Sequence, residues 1–101
     1  MTLLDRALEK SENLFSDGEF ITKLSSLVSL VTDSKNSMSN DDLTNYYSKG
    51  LLGILVELGI QTKIIDNPIK NCPPFLIGTR IESPKVKTIL LYGHGDTVPL
   101  Q

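Results

Sequence analysis

Residues 89–92, Ile-Leu-Leu-Tyr, put four apolar side chains at consecutive positions near the end of this 101-residue chain. Neighbouring side chains on an extended backbone point to opposite faces, so a strand built on this run is apolar on both. Such a strand needs cover on each side, which predicts a central position in a sheet flanked by further layers. The segment continues directly into Gly93-His94-Gly95-Asp96-Thr97-Val98-Pro99, which holds the chain's single histidine. In open α/β sheets the ends of strands, where loops leave the sheet, are the usual places for chemistry.

The rest of the chain reads as helices followed by strands. Leu4, Ala7, Leu8 and Leu14 recur at roughly helical spacing, with Thr2 as N-cap and Asp5 in the partner position of a capping box. Asp17-Gly18 interrupts this helix, and Asp17 is the expected cap of a second one. There Phe20, Ile21, Leu24, Leu27, Val28 and Val31 form an apolar stripe. The polar stretch Thr-Asp-Ser-Lys-Asn-Ser-Met-Ser-Asn at 32–40 predicts a loop, with Ser39 or Asn40 opening a third helix. Asp41 and Asp42 then complement its dipole. The third helix carries Leu43, Tyr47, Leu51, Ile54, Leu55 and Leu58 on one face, and Gly59 is its expected left-handed stop. Gly50 and Gly53 weaken it by about 1 kcal/mol each relative to alanine, which predicts compensation by close packing on a sheet. Strands are expected at Ile60–Ile65, at Phe75–Glu82 and at Lys87–Tyr92, separated by Asp-Asn-Pro-Ile-Lys-Asn-Cys-Pro-Pro and the Ser-Pro-Lys-Val turn.

Composition narrows the class of function. A formal net charge of −2 provides no basic excess for binding nucleic acid or an anionic membrane surface. Apolar runs such as Leu51 to Val56 are far shorter than the ~20 residues that span a bilayer. Acidic residues interrupt the apolar N-terminus, unlike a secretory signal. The single cysteine, Cys72, has no internal disulfide partner, which fits a reducing cytoplasm, and it reads as a bystander thiol in a Pro-rich turn.

His94 and Asp96 are two apart, so on extended backbone they face one space. A metal-binding imidazole gives one ring nitrogen to the ion and usually donates its other N–H to a carboxylate, which fixes the tautomer. His-x-Asp can assemble that pair locally, with Gly93 and Gly95 removing bulk where the backbone turns beside an ion. A dinucleotide-binding loop fits less well, because Val98 stands where the third glycine belongs. A nucleophilic triad lacks a serine or cysteine beside His94. A strand-end turn that merely hydrogen-bonds the ring remains open on these residues alone, since a three-residue pattern often arises by chance.

The longer stretch Leu-Leu-Tyr-Gly-His-Gly-Asp-Thr-Val-Pro resembles the N-terminal region of the two-zinc amidohydrolase and peptidase family. This family includes aminoacylases, acetylornithine deacetylases, succinyl-diaminopimelate desuccinylases, carnosine-type dipeptidases and glutamate-releasing carboxypeptidases. The helical stretches Phe-Ile-Thr-Lys-Leu-Ser-Ser-Leu-Val-Ser-Leu-Val-Thr-Asp-Ser and Tyr-Tyr-Ser-Lys-Gly-Leu-Leu-Gly-Ile-Leu-Val-Glu-Leu-Gly-Ile-Gln-Thr-Lys-Ile-Ile are similar in order, from about Phe20 onward. The resemblance implies that His94 is a metal ligand of a site holding two zinc ions. It implies that Asp96 is the catalytic-site carboxylate accepting a hydrogen bond from the His94 ring. Thr97, Val98 and Pro99 match the motif and shape the loop without a chemical role. The implied reaction cleaves an amide bond of N-acyl amino acids or short peptides with a metal-activated water.

The same resemblance places the bridging aspartate, a glutamate pair, a further acidic ligand and a second histidine beyond this motif. The expectation is therefore that residues 1–101 are an incomplete N-terminal portion of an α/β metallopeptidase catalytic domain, its helices packed on a partial mixed or parallel sheet. One imidazole does not hold zinc tightly, because a catalytic site usually takes three protein ligands, so the isolated chain is expected to be inactive. The alternatives are a non-catalytic remnant or interaction module, or one half of a split enzyme. A complementing chain or a homodimer is the expected partner; nucleic acid and membrane are not.

Overall fold

The computed structural model describes residues 1–32 and 40–97. The 32–40 loop beyond Thr32, Ser39 as a helix start, and Val98 and Pro99 lie outside the described residues. The fold is α/β. It comprises α1 (Leu3–Ser16), α2 (Glu19–Val28) and α3 (Asn40–Asn45), then a π-helical turn (Tyr46–Leu51) running on into α4 (Leu52–Glu57). Strands β1 (Gln61–Ile65) and β2 (Phe75–Thr79) follow.

Local chemistry accounts for most of these boundaries. The Thr2 hydroxyl accepts the Asp5 backbone N–H at 3.1 Å, and the Asp5 carboxylate accepts the Thr2 N–H at 2.8 Å, which completes the expected capping box. The second helix departs from expectation. Gly18, at φ 80°, stands at its N-cap without a side-chain hydrogen bond, while Asp17 ends α1. A left-handed turn between two helices suits a residue without Cβ, so the break is made by the glycine and not by an Asp17 cap. Asp41 and Asp42 occupy the first turn of α3. At the end of α4 the Gly59 N–H donates to the Val56 carbonyl at 2.9 Å and the Ile60 N–H to the Leu55 carbonyl at 3.0 Å. With Gly59 at φ 71° this is a Schellman stop, and it delivers the chain straight into β1.

The π-turn in the middle of the third helix is not foreshadowed by periodicity. Here the Leu52 N–H donates to the Tyr47 carbonyl, five residues back. Gly50 is a weak helix former, and the Ser48 hydroxyl donates to the Thr44 carbonyl at 2.9 Å, competing with the regular ladder. Gly50 also faces α2: a Cβ there would stand 2.8 Å from Leu27 Cδ2 and 3.0 Å from Leu30 Cδ1. Its compensation is thus helix-on-helix packing and not contact with a sheet. Nothing stands within 4 Å of the corresponding point at Gly53, so that glycine gains no compensating contact.

The sheet is smaller than the sequence suggests. β1 and β2 pair antiparallel in the register Gln61↔Thr79, Lys63↔Ile77 and Ile65↔Phe75. No parallel neighbour joins them among the described residues, so the expected mixed or parallel sheet is here a two-stranded ribbon. Residues 87–92 form no strand. Their apolar side chains are open to solvent, from 81% exposed at Ile89 to 93% at Leu90. The expected central, doubly covered strand is thus not formed within this chain. A strand requires a ladder partner for its N–H and C=O groups, and among the described residues none pairs with 87–92.

The core is correspondingly slight. Leu43 (4% exposed) and Tyr47 (9%) are the buried hydrophobic residues among those described, joined by Pro74 and Thr32. The α2 stripe is largely open: Phe20, Ile21, Leu24, Val28 and Val31 are all exposed, while Leu27 is half-buried. The radius of gyration is 16.2 Å, above the ~13 Å of a compact chain of this length. The isolated chain is therefore expected to bind a hydrophobic dye strongly and to lack a cooperative calorimetric transition at high temperature. A second expectation concerns the glycines. Gly53→Ala, entering open space, should gain up to about 1 kcal/mol of helix stability. Gly50→Ala should forfeit that gain because Leu27 and Leu30 must move aside. Ellipticity at 222 nm of the two variants checks the ranking.

Candidate functional site

Four segments distant in sequence meet around the start of the third helix. Tyr47 is buried, and its hydroxyl donates to the Pro74 carbonyl at 3.2 Å, tying the helix to the chain entering β2. Tyr46 packs beside it with ring centroids 6.0 Å apart. On the other side of Tyr46 lies Gly95. A Cβ at Gly95 would stand 2.7 Å from Tyr46 Cε1, 3.0 Å from Tyr46 Cδ1 and 3.4 Å from Leu43 Cδ1. The Thr97 N–H donates to the Thr32 carbonyl at 2.8 Å, which fastens the segment on its far side.

The His-Gly-Asp segment is held between these two contacts. His94 Nδ1 lies 2.9 Å from the Asp96 backbone carbonyl oxygen and 3.2 Å from Asp96 Oδ1. Both neighbours are acceptors, so Nδ1 must carry the proton and donate. Neutral imidazole in this tautomer leaves a lone pair on Nε2. The ring is exposed and Asp96 half-buried. The two side chains expected to share one space therefore do so, and the ring does not turn into the apolar interior.

Gly95 has a steric reason that spacing does not reveal. Its missing side chain makes room for the Tyr46 ring. Gly93, by contrast, has open space around it. Periodicity places Leu43 and Tyr47 on the inward face of the third helix and assigns no role to Tyr46 or Thr32. The tandem Tyr46-Tyr47 pair at the start of a helix containing Gly50 is the signal that was there to be used. Two adjacent inward aromatics fit a helix whose pitch widens. Cys72 is half-buried and free, consistent with a bystander thiol.

Among the described residues no group of three or more His, Cys, Asp or Glu side chains is arranged to hold a metal ion. His94 offers one nitrogen donor, and the chemistry of that donor suits a single ligand position but does not make a complete site. Nor is any helix among the described residues long and apolar enough to cross a membrane.

Burial raises the Tyr47 phenol above its ordinary value, with smaller contributions in the same direction from the Asp96 charge and from Tyr46. Such a group binds its proton more tightly folded than unfolded. The stability it contributes is present below the unfolded value near ~10 and is lost as pH rises through the folded value. Absorbance at 295 nm should show one tyrosine ionising above the usual range. Asp96→Asn should lower that pKa slightly without restoring the ordinary value, because burial is the larger cause.

Comparison with known proteins supplies one informative likeness. The chain is 40% identical over 47 residues to Cys-Gly metallodipeptidase DUG1 of Saccharomyces cerevisiae. That stretch is 46% of this chain and 10% of the yeast protein, so the likeness spans about a tenth of that relative's length. No family model matches the chain, and no solved structure matches it. That relative is, by its name, a metallodipeptidase.

Proposed function

We propose that residues 1–101 form the N-terminal portion of the catalytic domain of a zinc-dependent amidohydrolase or exopeptidase acting in the cytoplasm on N-acyl amino acids or short peptides. The observation that carries this reading is the His94–Asp96 pair. Nδ1 is engaged by a carboxylate and a carbonyl two residues on, and the ring is exposed to solvent. This is the arrangement in which an imidazole serves as a metal ligand backed by a carboxylate. The partial likeness to a yeast dipeptidase supports the class of reaction.

In this reading His94 contributes the Nε2 lone pair to one of two zinc ions. Asp96 holds the ring in that tautomer, raises its basicity and fixes its plane. Bound zinc would supply an acidified water and polarise the amide carbonyl. Further ligands and a general base have to come from outside the described residues, either from more of the same polypeptide or from a complementing chain. The exposed apolar run 89–92 favours such completion over a self-sufficient interaction module, because it leaves a strand-forming sequence without partners.

The test begins with the coding sequence beyond codon 101 and its neighbours. A continuation or adjacent frame with an aspartate-bearing strand, a glutamate pair and a late histidine is expected. The completed protein should contain zinc by elemental analysis and hydrolyse dipeptides or N-acyl amino acids. His94→Ala should abolish turnover, and Asp96→Asn should cost about 10–100-fold in metal affinity or activity. Wild-type turnover and zinc content in Asp96→Asn would remove Asp96 from its role. Stoichiometric, tight zinc on the 101-residue chain alone would show that the ligands lie elsewhere.

A further inference from the structure

The His94–Asp96 pair is built on three consecutive residues outside any helix or strand, and a free loop of that length would not hold an imidazole in one tautomer. What restrains it is outside the motif. Gly95, between the two side chains, lies close enough to the Tyr46 ring that even a methyl group would stand 2.7 Å from Cε1. Leu43 closes the same contact from one helical turn earlier. Tyr46 opens the π-turn, where the helix departs from regular pitch, and its neighbour Tyr47 is anchored through the Pro74 carbonyl. The Thr97–Thr32 backbone hydrogen bond fixes the segment just past Asp96.

We propose that Tyr46, presented by the π-turn and packed against Gly95, is a positioning residue that seats the His94-Gly95-Asp96 segment and so keeps the His94 ring in the Nδ1–H tautomer with Nε2 free. The proposal rests on the functional reading above for its purpose but not for its geometry. Tyr46 does not touch the proposed metal or the reacting atoms; it acts through the backbone of Gly95. The ring and not the hydroxyl makes the contact, since the ring carbons Cε1 and Cδ1 are the atoms nearest to the point where a Gly95 Cβ would stand. Tyr46→Phe should therefore preserve the seat, whereas Tyr46→Ala removes it and Gly95→Ala lifts the segment away.

The chain's single histidine makes the readout unambiguous. In the uniformly 15N-labelled 101-residue chain at pH 8, the imidazole nitrogen shifts report the tautomer directly. The wild type and Tyr46→Phe should show a predominance of Nδ1–H. Tyr46→Ala and Gly95→Ala should lose it and revert to the Nε2–H form that free imidazole side chains favour. An independent measurement needs no variant: the Gly95 α-protons should show nuclear Overhauser contacts to the Tyr46 ring and an upfield ring-current shift. The proposal is overturned if the wild-type chain shows the free-imidazole tautomer balance, if those ring contacts are absent, or if Gly95→Ala and Tyr46→Ala keep the wild-type tautomer. Should the seat behave as expected while His94→Ala leaves the zinc content of the completed protein unchanged, the metal assignment falls and the seat stands. The reverse pair of results removes the seat and keeps the ligand.

Discussion

Docking of remote segments on the first two turns of the third helix is the contact on which everything else in this chain depends. Leu43 and Tyr47 are its buried apolar residues, and they do little more than fill the space between the helix, Pro74 and the Gly95 segment. Burial of a side chain of that size contributes about 1.5–3 kcal/mol. Two such residues are a thin basis for ordering a chain of this length, since each ordered residue costs about 1–2 kcal/mol of backbone entropy. The same small cluster organises both the entry to the sheet and the candidate site. Loosening it at one place therefore propagates to the other.

That economy explains why the site and the fold are not separable here. The His94 ring, exposed and polar, is oriented by Asp96, and the segment carrying both rests on Tyr46. Chemistry that needs a fixed imidazole is thus linked, through one glycine, to a helical turn of irregular pitch. Irregular turns of this kind carry a cost in hydrogen-bond geometry and are often found where function needs a side chain re-aimed. Elsewhere the surface ion pairs, such as Lys23 with Glu19 at 3.0 Å and Glu57 at 3.6 Å, are exposed and add little.

The apolar surface left open is the other large feature. The α2 stripe and residues 89–92 together expose many aliphatic and aromatic side chains that their sequence patterns mark for burial. Exposed apolar area on this scale is characteristic of surfaces that another layer covers.

The chain's local chemistry was legible in its sequence. The Thr2–Asp5 capping box, the helical extents, the Gly59 stop, the positions of β1 and β2 and the proximity of His94 to Asp96 all follow from interactions within a few residues. Spacing and residue type fix such interactions. Other features depended on what the chain meets after it folds back. Gly50 faces Leu27, Gly95 faces Tyr46, and Gly18 rather than Asp17 makes the first break. The helix widens at Tyr46, and Ile89–Tyr92, although apolar on both faces, form no strand. Periodicity says which side chains seek cover, but only the tertiary arrangement decides whether a partner is there to provide it.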